Sequence, residues 1–127
     1  MAKILIIDDE PDFRTLTDMI LKRLGYDVSL ADNGWNGLEL YRREHPDVIL
    51  LDLNMPEMDG VEVLKQIRTV DRTQPVIVLT GDRRPQTEHQ VRALGVSEFL
   101  VKDSSSRLLE DTIKRFFAAP TSRTRCH

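Results

Sequence analysis

The chain has 127 residues, of which 40% are hydrophobic and 31% charged, and its formal net charge is -3. This length fits one domain, and the composition excludes a disordered tail, a collagen-like fibre and a low-complexity linker. The single cysteine, Cys126, excludes an intrachain disulfide framework, and the acidic balance argues against a basic nucleic-acid binder. No apolar run approaches the ~20 residues of a membrane helix, and the N-terminus lacks a secretory signal pattern, so we expect a cytoplasmic protein.

The first half of the chain alternates between strand and helix patterns. The continuous apolar run Ile4–Ile7 predicts a strand that is covered on both faces. A helical stripe follows, which begins behind Pro11 and ends before Gly25. The alternating pattern of Asp27–Ala31 predicts a half-covered strand at a sheet edge. A second helical stripe starts at Trp35, which we place at the edge of the core.

The second half repeats this alternation. Two more continuous apolar runs and one shorter run predict strands, and three further helical patterns lie between or after them. In chain order, these predicted elements are a strand at Val48–Leu51, a helix with the stripe Val61, Leu64 and Ile67, a strand at Val76–Leu79, a helix between Pro85 and Gly95, a strand at Phe99–Val101, and a helix from about Ser104 to Ala118.

Together these elements predict an α/β fold, namely a doubly wound, flavodoxin-like parallel sheet of five strands with five helices on its two faces. Continuous strands 1, 3 and 4 belong at the centre and strands 2 and 5 outside, which gives the order 2-1-3-4-5. We expect one domain over residues 1–119 and a flexible C-terminal tail over residues 120–127.

Polar residues follow four of the predicted strands. Asp8 and Asp9 follow strand 1, Asp52 follows strand 3, Thr80 follows strand 4 and Lys102 follows strand 5. Ligands of such sheets bind outside the carboxyl ends of the strands, so we expect these side chains to converge in one crevice.

Each of these residues also has an ordinary interpretation. Asp9 or Glu10 could cap the helix behind Pro11, Asp52 could be a turn residue, and Lys102 could be a solvated charge. Independent caps and turns would not place carboxylates at two neighbouring strand ends beside a lysine. The combination therefore favours a functional site.

The chemistry of such a cluster is restricted. Crowded carboxylates repel one another, and one takes up a proton unless a cation compensates. Oxygen ligands without His or Cys suit Mg²⁺, with Mn²⁺ as a substitute. A carboxylate can act as a nucleophile and form an aspartyl phosphate, while Mg²⁺, Lys102 and the Thr80 hydroxyl would stabilise a transferring phosphoryl group.

Four segments carry a resemblance to a known family. The runs Ile6–Asp9, Leu50–Gly60, Val78–Gly81 and Phe99–Lys102 resemble the response-regulator receiver domain, the phosphoacceptor half of two-component signalling. The resemblance covers about residues 3–118 and keeps the motifs in order. It implies a phosphorylation-dependent switch that catalyses only its own phosphorylation and dephosphorylation, and not a metabolic enzyme.

The resemblance also implies a metal site and a phosphate donor. Asp52 would accept the phosphoryl group from a histidine kinase or a histidine phosphotransfer protein. Asp9 would bind Mg²⁺ directly, Asp8 mostly through water, and the Asn54 backbone carbonyl would be a further ligand, with Asp52 completing the set. Asn54 and Asp82 would tune the lifetime of the phosphorylated form.

A switch mechanism follows from the same resemblance. Thr80 would swing toward the phosphoryl group, Phe99 would then change rotamer, and Lys102 would pair with the phosphoryl oxygens. Phe99 could also be plain core filling. Gly81 would leave space for the phosphate and Gly60 would permit the turn after Asp52.

The sequence departs from the family at two positions. Asp103 follows Lys102 where the family usually has proline, so we expect a trans bond or a shifted loop there. Phe99 stands where tyrosine is frequent, so switching cannot use a phenolic hydroxyl.

The output would pass through the face of the fourth helix, fifth strand and fifth helix, either to a downstream protein, to a second copy of the chain or through a phosphorelay, without direct nucleic-acid or membrane binding. This face carries basic residues, namely Arg83, Arg84, Arg92, Arg107, Lys114 and Arg115. Two alternatives remain at this stage. One is a pseudo-receiver that binds partners without being phosphorylated, and the other is an aspartyl-phosphate phosphohydrolase or a flavin protein on the same fold.

Overall fold

A computed structural model describes residues 2–102 and 106–118 of the chain. Strands and helices alternate throughout these residues. In chain order the elements are β1 Lys3–Ile7, α1 Pro11–Arg23, β2 Asp27–Ala31, α2 Gly34–Glu44, β3 Val48–Leu51, α3 Gly60–Val70, β4 Val76–Thr80, α4 Pro85–Ala93, β5 Glu98–Val101 and α5 Ser106–Phe117.

The five strands form one parallel sheet in the order β2-β1-β3-β4-β5, as the apolar patterns predict. Strands β1, β3 and β4 are buried along almost their whole length because helices cover both of their faces. Strand β2 is only partly covered, which agrees with its alternating sequence and its edge position.

Two apolar clusters lie on the two faces of the sheet. On one face, Ile4 and Ile6 of β1 pack in a cluster with Leu21 of α1 and Ile113 of α5. On the other, residues of β1, β3 and β4 pack with α2, α3 and α4, with Leu64 fully buried in the middle. These two clusters bury the apolar side chains of the strands, and the residues that follow the strands can therefore be polar.

Some expectations differ from the structure or fall outside it. Trp35 is 59% exposed at the start of α2 and does not lie at the edge of the core. Helix α5 begins at Ser106, while Ser104, the Lys102–Asp103 bond and the predicted tail 120–127 lie outside the described residues. Within residues 2–102 and 106–118, no helix is long and apolar enough to span a membrane.

Candidate functional site

The parallel ladder continues one residue beyond strands β1 and β3 and fixes two carboxylates side by side. The backbone N–H of Asp8 donates to the Ala31 carbonyl at 3.1 Å, and that of Asp52 donates to the Ile7 carbonyl at 2.9 Å. Both aspartates are buried at the carboxyl end of the sheet. The short apolar strands therefore deliver acidic side chains to one point.

An acid cluster forms at this point. Asp8, Asp9 and Asp52 each offer a carboxylate oxygen, and these oxygens lie within 4.8 Å of one another. Asn54 lies on the rim with an exposed side chain, and its backbone N–H donates to Asp52 Oδ1 at 3.2 Å. The turn interpretation of Asp52 is thus also satisfied, because the same carboxylate makes a local bond and joins the cluster.

Lys102 is the cation at the centre of the cluster. Its Nζ lies 2.9 Å from Asp8 Oδ2, 3.2 Å from Asp52 Oδ2 and 3.1 Å from Glu10 Oε1. The Nζ also lies 4.6 Å from the centroid of the Phe13 ring, within the range of a cation–π contact. The backbone holds Lys102 there, since its N–H donates to the Thr80 carbonyl at 2.8 Å.

The crowding changes the proton affinity of Asp52. Burial raises the pKa of Asp52 to about 6, Lys102 opposes this rise, and the Asp8 charge adds to it. Burial alone would lower the pKa of Lys102, but its hydrogen bond to Asp8 and the charge of Asp52 raise it above its ordinary value. One ammonium therefore does not fully compensate the acids around it.

The donor set fits a magnesium ion. The cluster consists of oxygen donors, two of its carboxylates are buried, and its acids carry more negative charge than Lys102 neutralises. Asp8, Asp9 and Asp52 would hold the ion, which when bound supplies charge stabilisation to phosphoryl oxygens.

Thr80 and its neighbours complete the rim. Thr80 is the last residue of β4 and is fully buried, and its Oγ accepts a hydrogen bond from the Asp82 N–H at 3.2 Å. A Cβ at Gly81 would meet no atom within 4 Å, so this side of the crevice is open. Phe99 is half-buried in β5 and packs against the core on the α2–α4 side.

Gly60 brings the start of α3 against the backbone of the phosphoacceptor candidate. A Cβ at Gly60 would lie 2.2 Å from the Asp52 carbonyl oxygen and 2.7 Å from the Leu53 Cα. Its φ is not in the left-handed region, so the glycine serves a close approach of two backbone segments.

Asp82 is held by the start of α4. Its Oδ1 accepts from the backbone N–H and the Nε of Arg84 at 3.0 and 3.1 Å, and its Oδ2 accepts from Nη2 at 2.8 Å. These bonds, with a hydrogen bond from the Thr87 side chain, hold the pKa of Asp82 well below its ordinary value. Asp82 is thus a fixed, ionised carboxylate two residues beyond Thr80.

Sequence reasoning missed two contacts. The sequence assigns no site role to Glu10, which it allows as a helix cap, but the Glu10 side chain makes no cap bond to α1 and instead contacts Lys102. The sequence places Arg84 on the output face, but its guanidinium donates two hydrogen bonds to the Asp82 carboxylate. The signals were an acid directly after Asp8 and Asp9, and an arginine two residues beyond Asp82.

A buried acid cluster on a central lysine, at the carboxyl end of a 2-1-3-4-5 sheet, is the arrangement that the motif resemblance implies. Residues 4–114 match the family described as the response regulator receiver domain, and the chain belongs to this family. Members of this family are signalling phosphoacceptors of two-component systems, which removes the phosphohydrolase and flavin alternatives.

Individual relatives differ greatly in length. The chain is 32% identical over 114 residues to sporulation initiation phosphotransferase F of Bacillus subtilis (strain 168), covering 90% of this chain and 92% of that protein. It is 35% identical over 100 residues to the regulatory protein AtoC of Escherichia coli (strain K12), covering 79% of this chain but only 22% of AtoC. Chemotaxis protein CheY4 of Vibrio cholerae has a similar structure, with a TM-score of 0.84, 32% identity, and coverage of 91% of this chain and 98% of CheY4.

Proposed function

We propose that the chain is a phosphorylation switch in which Asp52 accepts a phosphoryl group from a phosphohistidine. The observation that carries this proposal is the environment of Asp52. Its carboxylate is 4% exposed, touches Lys102, and shares a cluster of oxygens within 4.8 Å with Asp8 and Asp9. A nucleophilic carboxylate surrounded by cationic stabilisation is what phosphoryl transfer to an acid requires.

Phosphoryl transfer to Asp52 makes one bond to phosphorus and breaks one. An oxygen of Asp52 forms a bond to phosphorus as the phosphorus–nitrogen bond of the phosphohistidine breaks, and the electron pair of that bond leaves with the imidazole nitrogen. On hydrolysis, a water oxygen bonds to phosphorus as the bond between phosphorus and the Asp52 oxygen breaks. The electron pair of that bond restores the Asp52 carboxylate, and inorganic phosphate leaves while the water gives up a proton to solvent. Lys102 donates hydrogen bonds to the phosphoryl oxygens in both steps.

Magnesium belongs to this proposal as the cofactor, with Mn²⁺ as a substitute. Asp8, Asp9, Asp52 and the Asn54 backbone carbonyl would hold it. Without it, the negative charge of the incoming phosphoryl group would add to a cluster in which the pKa of Asp52 is already raised.

The switch step uses Thr80 and Phe99. The Thr80 hydroxyl gives up its bond from the Asp82 N–H and turns to a phosphoryl oxygen, and Phe99 changes rotamer in response. The affected face comprises α4, β5 and α5. On it Arg92 and Arg115 are exposed, and Arg92 pairs with Glu88 at 2.8 Å. Its partner is a downstream protein or a second copy of the chain.

The donor partner is a histidine kinase or a histidine phosphotransfer protein. A phosphotransferase, sporulation initiation phosphotransferase F, is among the relatives whose whole length the chain nearly spans. A cytoplasmic encounter without nucleic acid or membrane belongs to this proposal, and the negative charge of the crevice would repel a nucleic-acid backbone.

The test is phosphoryl uptake by the purified chain. Intact mass is measured after addition of Mg²⁺ and acetyl phosphate, with Trp35 fluorescence as a parallel readout and Asp52→Ala as the control. The parent gains one phosphoryl group and the variant none. No uptake from acetyl phosphate or from a phosphohistidine donor, together with no Mg²⁺ binding, would replace the switch by a pseudo-receiver.

The lifetime of the phosphorylated form is the second part of the proposal. Asn54 lies on the rim of the crevice, and the ionised carboxylate of Asp82 lies two residues from Thr80. These residues orient the water that attacks phospho-Asp52. Asp82→Ala therefore alters the decay rate of the phosphorylated protein, whereas Glu88→Ala, which removes an acid from α4, leaves it unchanged. Equal decay rates in Asp82→Ala and parent would refute the role of Asp82.

A further inference from the structure

Every donor of the Lys102 ammonium is already in use. An ammonium has three N–H groups, and Nζ of Lys102 contacts three carboxylates, those of Asp8, Asp52 and Glu10, at 2.9, 3.2 and 3.1 Å. The same nitrogen also lies over the Phe13 ring, 4.6 Å from its centroid. A phosphoryl oxygen on Asp52 can therefore reach Lys102 only if one existing contact is given up.

The three carboxylates are not equally replaceable. The side chains of Asp8 and Asp52 are 5% and 4% exposed, and both belong to the acid cluster. The side chain of Glu10 is 59% exposed and lies outside that cluster. An exposed ion pair contributes little, whereas a buried carboxylate that loses its partner pays a large desolvation cost. Glu10 is the contact that Lys102 can release.

The backbone explains why Glu10 reaches Lys102 at all. Glu10 occupies the N-cap position of α1 with an extended backbone, and its N–H donates to Asp8 Oδ1 at 2.9 Å. Pro11 then fixes the start of the helix. The Glu10 side chain makes no cap bond to α1, so its carboxylate satisfies no backbone N–H of the helix and instead contacts Lys102.

We propose that Glu10 is a positioning residue that occupies, in the resting protein, the place on Lys102 that a phosphoryl oxygen takes during transfer to Asp52. This inference rests on the proposed function of Asp52. Glu10 delays uptake, because its bond to Lys102 must break before the phosphoryl group is fully stabilised. It leaves decay untouched, because Lys102 is already on the phosphoryl group when hydrolysis begins.

The test compares Glu10→Gln with the matched variant Asp12→Asn. Both remove one negative charge from the start of α1, and Asp12 is exposed and is not among the three carboxylates on Lys102. With Mg²⁺ and acetyl phosphate, Glu10→Gln takes up the phosphoryl group roughly two- to fivefold faster than Asp12→Asn, the factor that corresponds to an exposed ion pair. Decay of the phosphorylated forms and the affinity for Mg²⁺ are the same in both variants.

Three results would contradict the inference. Uptake by Glu10→Gln that only equals uptake by Asp12→Asn reduces Glu10 to a general charge effect. A decay rate that changes as much as the uptake rate places Glu10 in the hydrolysis step, and a shift in Mg²⁺ affinity places it in the metal site. These results leave the proposed function intact, whereas a parent chain that takes up no phosphoryl group from acetyl phosphate or a phosphohistidine donor, and binds no Mg²⁺, overturns both.

Discussion

The two ends of the sheet shift the pKa values of their aspartates in opposite directions, for the half-buried Asp71 at the amino end and the buried Asp52 at the carboxyl end. At the amino end, burial would raise the pKa of Asp71, but hydrogen bonds from Thr73 and Gln74 outweigh it and hold that pKa below its ordinary value. At the carboxyl end, burial raises the pKa of Asp52 to about 6, since Lys102 is shared among three carboxylates. The Asp71 carboxylate thus has its hydrogen-bond donors, whereas the Asp52 carboxylate shares one cation with two other carboxylates.

Arg68 shows how complete the pairing at the amino end is. Its guanidinium donates to the carbonyls of Leu94, Asp71, Gln74 and Gly95 at 2.6, 3.1, 2.9 and 3.0 Å. This binds the end of α3 to the turns before β4 and β5. The amino end therefore serves stability, while the carboxyl end keeps an excess of negative charge that the proposed phosphoryl group and cation would use.

The largest expected effect tests how tightly the carboxyl end is built. Gly60→Ala places a Cβ 2.2 Å from the Asp52 carbonyl oxygen, so a backbone segment must move. We expect the free energy of unfolding to fall by about 3 kcal/mol, measured by urea denaturation, with loss of phosphoryl uptake. Gly81→Ala is the control, because a Cβ there meets nothing within 4 Å. Equal free energies of unfolding for Gly60→Ala and Gly81→Ala would show that the backbone beside Asp52 moves at little cost.

Arg68→Ala tests the amino end. Four carbonyls lose a charged donor, and we expect the free energy of unfolding to fall by about 2–3 kcal/mol. Phosphoryl uptake under native conditions stays at the parent rate, since Arg68 is at the opposite end of the sheet. Arg72→Ala, which removes an exposed neighbouring charge, changes stability by less than about 0.5 kcal/mol. Slow uptake in Arg68→Ala would disprove the separation of the two ends.

Asp52→Asn tests whether the crowded, buried carboxylate of Asp52 destabilises the folded protein. In Mg²⁺-free buffer at neutral pH, we expect this variant to be about 2 kcal/mol more stable than the parent, because it removes a buried carboxylate whose pKa is raised to about 6. Below that pKa the folded parent binds a proton on Asp52 that the unfolded chain still lacks, so lower pH stabilises the parent. The gap between variant and parent therefore closes as the pH falls from about 7 to about 4.

Thermal unfolding at several pH values measures this gap, and addition of Mg²⁺ narrows it at neutral pH because the ion compensates the charge. A gap that is independent of pH would mean that Asp52 is not destabilised by its surroundings.

The smallest expected effect is a destabilisation, opposite in sign to the effect of Asp52→Asn. Asp71→Asn weakens the hydrogen bonds from Thr73, Gln74 and the Tyr41 hydroxyl, and we expect a loss of about 1 kcal/mol in urea denaturation. Its midpoint moves down where that of Asp52→Asn moves up. Stabilisation by both substitutions would erase the distinction between the two aspartates.

Much of this arrangement is predictable from the sequence. Continuous apolar runs place β1, β3 and β4 at the centre, and parallel strands bring Asp8, Asp52 and Lys102 to one end. Both inferences need only a repeating pattern and the direction of a strand.

Partner choice by long polar side chains is not predictable in this way. Glu10 reaches Lys102, 92 residues away along the chain, because of one extended backbone conformation before Pro11. Arg68 finds its acceptors 26 and 27 residues away in the turn after α4. Such contacts depend on rotamers and on the relative placement of distant segments, which a local pattern does not encode. Trp35 was misplaced for a related reason, since an aromatic at helical spacing can lie on either side of the first turn.

Helix α4 runs between the carboxyl end and the amino end of the sheet and is held at both. It has nine residues and a length of about 13 Å. Its C-terminal end is pinned where Arg68 binds the carbonyls of Leu94 and Gly95, and its N-terminal end rests on Asp82 through Arg84 and Thr87. If the C-terminal end of α4 stays fixed, a displacement of about 2 Å at its N-terminal end corresponds to a tilt of the helix axis of roughly 8°. In the proposed switch, a change of one bond in the crevice would therefore become an angular displacement of a whole surface element.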